Sequence, residues 1–121
     1  MFPYQEINIK SSNDLYIPDL AVLSQSAAGQ SAALIEHAVL LVEIVSDSNR
    51  RKDVIDRPRV YAEAGVAWFM RVEFRRRVPA IMLFELVDQE YKPLVGTAGG
   101  STFTMDEPFP YSVDPATLLD E

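Results

Sequence analysis

Eight residues, Val39–Ser46 (V-L-L-V-E-I-V-S), constrain the fold more than any other stretch of the chain. Seven of the eight are apolar or small, so both alternating sets of side chains are fit for burial. That pattern predicts a strand covered on both faces, which requires a sheet with further layers packed against it. Glu43 stands in its middle, and a carboxylate enters a dry core only with a partner. Two explanations are open from the stretch alone: an acid satisfied at the strand edge, or an acid presented for chemistry.

The surrounding pattern supplies the other elements. Tyr4–Ile9 alternates polar and apolar residues and predicts a half-buried strand. Ser11–Asp14 is a turn cluster, and Leu15–Leu23 predicts a second strand, bent or edge-placed at Pro18 and carrying Asp19. Ser24–Gln30 reads as a loop and Ala32–His37 as a short helical turn. His37, the single histidine, reads as a surface or boundary residue. Beyond the central strand, Val54–Ala64 predicts a helix with Val54, Val60, Tyr61 and Ala64 as its apolar stripe. Pro58 fits only in its first turn, with Asp53 or Asp56 as cap, and Gly65 is placed to stop it. Val66–Glu73 is aromatic and β-branched and predicts the third clear strand, with Trp68 and Phe69 in the core. Strand, helix and strand over Val39–Glu73 predict a crossover unit and a parallel pair. Ala80–Val87, Glu90–Val95 and Ser101–Met105 read as further strands, and a short helix begins near Pro115. With no repeat or linker, residues 1–121 make one mixed α/β domain around a sheet of five or more strands.

Charge narrows the partners. The net charge is −7, yet nine of the eleven Lys and Arg residues lie between Arg50 and Arg77 against four acids. That segment carries +5 and the remainder −12, a separation that focuses a positive field on one surface. The absence of cysteine excludes disulfides, thiolate nucleophiles and cysteine zinc sites. The longest apolar run, near Ala38–Val45, is too short to span a bilayer, and the first residues lack the pattern of a signal peptide. The expectation is a cytoplasmic protein with no membrane partner.

Asp19 and Glu43 fall on two predicted strands, 24 residues apart. If those strands are neighbours, the carboxylates approach within a few ångströms, and one protonates unless a cation lies between them. With a divalent ion they form a hard oxygen site suited to Mg²⁺ or Mn²⁺. Such an ion supports phosphodiester hydrolysis, helped by a Lys or Arg that faces the developing oxyanion.

The ordered stretches I-P-D-L-A-V-L, L-L-V-E-I-V-S and R-R-K-D-V-I-D-R-P-R-V-Y-A-E-A-G-V-A-W-F-M-R-V-E resemble the Uma-type family of putative restriction endonucleases, a branch of the PD-(D/E)XK nuclease superfamily. The similarity covers Ile17–Glu73 well, and P-F-P-Y-S-V-D fits the family's usual ending. The resemblance implies an α+β, restriction-endonuclease-like fold, a central mixed sheet flanked by helices. It also implies metal-dependent cleavage of DNA. Asp19 matches the motif Asp that binds the metal, and Glu43 the acid of the second half-motif. The parent pattern has a Lys two residues later, where this chain has Val45. The family moves its basic residue to the following helix as D-x-x-x-K, matched here by Asp53 and Arg57, with Lys52 nearby. Arg keeps the charge and can clamp phosphate but does not readily carry a proton. Arg50, Arg51 and Arg59 are the expected contacts to the nucleic-acid backbone. Ser46 and Asp47 read as cap or turn residues, with the resemblance implying that Ser46 helps shape the site, and Arg75–Arg77 as a solvated hairpin turn.

The resemblance further implies an N-terminal portion of helices and a hairpin before the Pro-Asp strand. This chain opens just before that strand, so the expected fold is truncated at its N-terminus, with a sheet face left for a second copy to cover in a homodimer. Two functions therefore stand: a Mg²⁺- or Mn²⁺-dependent endonuclease with Asp19, Glu43, Arg57 and Lys52 at its site, or a catalytically inactive relative that binds nucleic acid or protein.

Overall fold

The computed structural model describes residues 2–5, 8–11, 14–16, 20–23, 32–34, 38–45, 56–75 and 78–119. The elements run in the order β1 (Phe2–Gln5), β2 (Asn8–Ser11), β3 (Asp14–Tyr16), β4 (Leu20–Leu23), β5 (Ala32–Leu34), β6 (Ala38–Val45), α1 (Arg57–Glu63), β7 (Trp68–Arg75), β8 (Val78–Val87), β9 (Glu90–Ala98), β10 (Phe103–Met105) and β11 (Tyr111–Val113). A 3-10 turn at Pro115–Leu119 follows, where the tail was expected to become helical.

Six strands form the main sheet in the order β1-β4-β6-β7-β8-β9. β6 and β7 are parallel and every other neighbouring pair is antiparallel. The strand rich in Val and Leu thus lies inside the sheet and is buried on both faces over Leu40–Glu43, although Ile44 is 44% exposed. β6, α1 and β7 form the expected crossover, because two parallel neighbours need a connection long enough to return the chain.

Alternation along β6 and β7 splits the core into two layers. Leu41 and Phe69 face α1, where they pack with Ala21, Leu23, Tyr61 and Val66. Leu40, Val42, Met70 and Val72 face the other way, against Phe103 and Met105 of β10, while Trp68 packs at that cluster's margin. One face therefore carries a helix and the other a β10–β11 hairpin. The expectation of flanking helices holds for one face among the described residues.

The ends of α1 follow from its sequence. Pro58 occupies the first turn, where no intrahelical N–H is needed. Gly65 adopts φ +82° just past the helix, its N–H donating to the Ala62 carbonyl while the Val66 N–H donates to Tyr61. This is a Schellman closure, and it needs the left-handed backbone that glycine adopts without strain. The β8–β9 turn uses positive φ at Asp88 and Gln89, as the twist of a two-residue hairpin demands.

Three expectations are corrected. Tyr4–Ile9 is not one strand: β1 joins the main sheet and β2 a separate sheet ordered β3-β2-β5. Leu15–Leu23 divides likewise into β3 and β4, on either side of the stretch holding Pro18. Ala32–Leu34 is a strand paired in parallel with β2, not a helical turn, because pairing overrides the helical preference of Ala and Leu. The described helix is α1 alone, beginning at Arg57; residues 54–55 of the longer predicted helix lie outside the described residues. No helix is long and apolar enough to cross a membrane among the described residues.

Candidate active site

Glu43 is 1% exposed, the one buried charged residue among the described residues. Its parity on β6 points it to the α1 side of the sheet. On α1, Arg57 and Tyr61 are four residues apart, so both project from one face toward that acid. The Tyr61 hydroxyl donates to Glu43 Oε2 at 2.6 Å. Arg57 Nη1 donates to the same oxygen at 3.2 Å and to the Tyr61 hydroxyl at 3.1 Å. Three side chains thus close a triangle, with Arg57 and Glu43 as an ion pair at its base. Burial, and then the adjacent Glu43 carboxylate, push the Tyr61 hydroxyl well above its ordinary range, so it remains a protonated donor.

The triangle stands on an aromatic floor. Phe69 lies under Tyr61 with ring centroids 6.1 Å apart, and Phe84 and Tyr91 continue the cluster at 5.8 and 5.4 Å from Phe69. The Tyr91 hydroxyl donates to the Val66 carbonyl at 2.7 Å and so ties β9 to the end of α1. Burial pushes this hydroxyl upward too.

On β7, Arg71 is the register partner of Glu43 across the parallel ladder. Its Nε donates to Glu73 at 3.0 Å, and its guanidinium carbon lies 5.0 Å from the centre of the Phe84 ring. Both contacts are on the α1 side, so a second arginine lies on the same sheet face as the acid.

Of the residues singled out in the sequence, Glu43 and Arg57 come together as a contact pair. Arg59 is two residues beyond Arg57 on the helix, exposed, and lines a cleft of about 830 Å³ with Pro58, Ala62 and the β8–β9 turn. It does not join the Glu43 cluster. Asp19, Arg50, Arg51, Lys52 and Asp53 lie outside the described residues, as do His37, Ser46, Asp47, Arg76 and Arg77. The register of β4 with β6 ends at Leu20 and Val42, which are next in sequence to Asp19 and Glu43.

Tyr61 corrects the sequence reading, which treated it as packing alone; its ring packs but its hydroxyl binds Glu43. A buried acid needs donors, and the R-x-x-x-Y spacing that places Arg57 and Tyr61 on one face was the available signal. Arg71 was missed as well, although alternation from the buried Phe69 puts it on the acid's face.

A family model described as "Putative restriction endonuclease", Uma2, matches residues 3–118. The chain belongs to the Uma2 family. The match extends past Ile17–Glu73 in both directions and includes the β8–β9 hairpin and the strands after it. As in an α+β, restriction-endonuclease-like fold, the Uma2 chain builds a mixed sheet around the strand bearing the acid. A comparison with curated proteins finds no match. For a metal, the donor chemistry of Glu43 is that of a hard oxygen ligand, and the chain offers no thiolate to compete. Among the described residues no group of three or more His, Cys, Asp or Glu comes together.

Proposed function

We propose that this Uma2 member is a metal-dependent endonuclease that hydrolyses phosphodiester bonds in DNA. The observation that carries the reading is the buried Glu43 on an interior strand, ion-paired to Arg57 in a family described as putative restriction endonucleases. In this proposal Asp19 and Glu43 hold Mg²⁺ or Mn²⁺. When bound, the ion supplies charge neutralisation on the phosphate and a water of lowered pKa.

The protein's own groups then have distinct tasks. Tyr61 and Arg57 fix the Glu43 carboxylate through Oε2, so its ligating geometry is set before substrate arrives. Arg57, permanently charged, faces the negative charge that develops on the pentavalent phosphorus, with Lys52 as the second cation. Arg50, Arg51 and Arg59 hold the DNA backbone through phosphate contacts that carry no sequence information.

The test is supercoiled plasmid incubated with the purified chain and Mg²⁺ or Mn²⁺. Nicking or linearisation is expected, and it should vanish with chelator and in Glu43→Ala. Cleavage that survives either treatment refutes the assignment, as does a wild-type chain that never cuts.

A second reading has its own observation. Arg57, where the family pattern has Lys, is already engaged with Glu43 and Tyr61, an arrangement suited to a relative that binds nucleic acid or protein without cutting. DNA binding with no cleavage under any divalent ion identifies that case.

A further inference from the structure

We infer that Arg71 is a phosphate-binding residue, a preformed guanidinium fork for the backbone of a nucleic-acid strand. The inference rests on the nuclease reading for its ligand but on Arg71's own surroundings for its geometry. Three observations converge on it.

The side chain is held from two directions. Nε is spent on Glu73 at 3.0 Å, and the flat guanidinium lies over Phe84 with its carbon 5.0 Å from the ring centre. Ion pairing and cation–π contact together fix the plane of the group and remove much of the entropy a free arginine would lose on binding.

The donors suited to phosphate are unspent. Among the described residues Arg71 makes no hydrogen bond through Nη1 or Nη2. The side chain is 17% exposed, so the guanidinium is largely withdrawn from water while still reaching it. Two parallel N–H groups in such a position match two oxygens of one phosphate.

The placement is the third observation. Arg71 is the register partner of Glu43 and lies on the same face of the sheet as Glu43, Arg57 and Tyr61. A phosphate at the fork is therefore one strand away from the acid. Glu73 and Glu43 offset the charges of Arg71 and Arg57, so the fork orients a phosphate more than it attracts one.

The experiment is binding of a short fluorescein-labelled DNA duplex in EDTA, followed by anisotropy over a series of salt concentrations. Wild type is compared with Arg71→Gln, Arg71→Lys and, as a control for general charge loss, Lys92→Gln. Lys92 is exposed and paired with Glu90 on β9. Arg71→Gln should weaken binding by about fivefold to tenfold and lower the slope of log affinity against log salt by about one. Arg71→Lys keeps the charge and loses the fork, so its slope stays near wild type while its affinity falls; this variant keeps the test intact if the Gln variant folds poorly. Lys92→Gln should match wild type. Wild-type affinity and slope in both Arg71 variants overturn the inference, even if plasmid cleavage proceeds. Arg71-dependent binding without cleavage supports it and removes the endonuclease reading. A wild-type chain that does not bind DNA overturns both.

Discussion

Replacing Tyr61 with Phe removes one oxygen from a fully buried residue and leaves its ring on Phe69. The described interactions lost are the 2.6 Å hydrogen bond to Glu43 Oε2 and the weaker 3.1 Å one accepted from Arg57 Nη1, after which Arg57 is the remaining described donor to that oxygen. A hydrogen bond to a charged group contributes about 1.5–3 kcal/mol. No sizeable cavity forms, and the hydroxyl's own desolvation is relieved, so the net loss belongs near the lower end, about 1.5–2 kcal/mol. For a domain of this size that corresponds to a fall in Tm of roughly 6–8 °C.

The assay is thermal and denaturant unfolding followed by circular dichroism, carried out as a double-mutant cycle with Glu43→Leu. Leucine removes the carboxylate while roughly conserving apolar volume. If the hydroxyl acts through Glu43, Tyr61→Phe in that background costs little, and the coupling between the two sites is about 1.5 kcal/mol. A Tyr61→Phe protein that melts within a degree or two of wild type refutes the reasoning. So does an equal loss with and without Glu43, since the hydroxyl would then be stabilising something other than that acid.

Two further outcomes follow from the aromatic floor. Phe69→Ala should cost about 3–5 kcal/mol, because the ring is 1% exposed and centres the contacts to Tyr61, Phe84 and Tyr91. Urea titration reads this directly, and a loss below about 1.5 kcal/mol would mean that the cluster collapses around the gap. Tyr91 should make the fold sensitive to alkali. Its hydroxyl is pushed above the ordinary range by burial, so the stability it contributes is fully present below the unfolded value near 10 and is lost as pH rises beyond it. Above that point stability should fall by about 1.4 kcal/mol per pH unit for this group, and Tyr91→Phe should flatten the decline by that amount. Equal slopes for the two proteins between pH 10 and 11 would show that Tyr91 ionises as readily folded as unfolded.

The parts of the fold legible in the sequence are those where pattern and context agree. Val39–Ser46 had no polar face to solvate, so it could only be interior, and Pro58 and Gly65 bracket a helix that can occupy little else. The first 34 residues were harder, because β1 to β5 are three or four residues long and divide between two sheets. Strands that short carry too few alternations to announce a break, and only Pro18 marks one. Ala32–Leu34 misled for a different reason: its residues prefer a helix, and the parallel ladder with β2 is invisible to local pattern. At the site, Glu43 was conspicuous because a charge in an apolar run violates burial. Tyr61 was not, since a tyrosine on an apolar stripe satisfies the same rule whether or not its hydroxyl has work to do.

That asymmetry bears on why Glu43 is present at all. A leucine at position 43 would fill the same space between α1 and the sheet without taking a carboxylate out of water. Burying an ion pair commonly costs more than its mutual attraction returns, and apolar replacements of such pairs are often neutral or stabilising. Among the described residues the acid's demands are met by Tyr61 and Arg57, whose placement fixes the face and phase of α1 against β6. Arg57 in turn is kept 15% exposed, close enough to solvent for its charge to act on something outside the core. Packing explains none of these choices, whereas a strand that must present a fixed, buried carboxylate beside a fixed cation explains all of them. The nuclease proposal therefore turns on Glu43 held by Tyr61 and Arg57, and Tyr61→Phe and Glu43→Ala probe it from opposite sides: one disturbs how the acid is held, the other removes it.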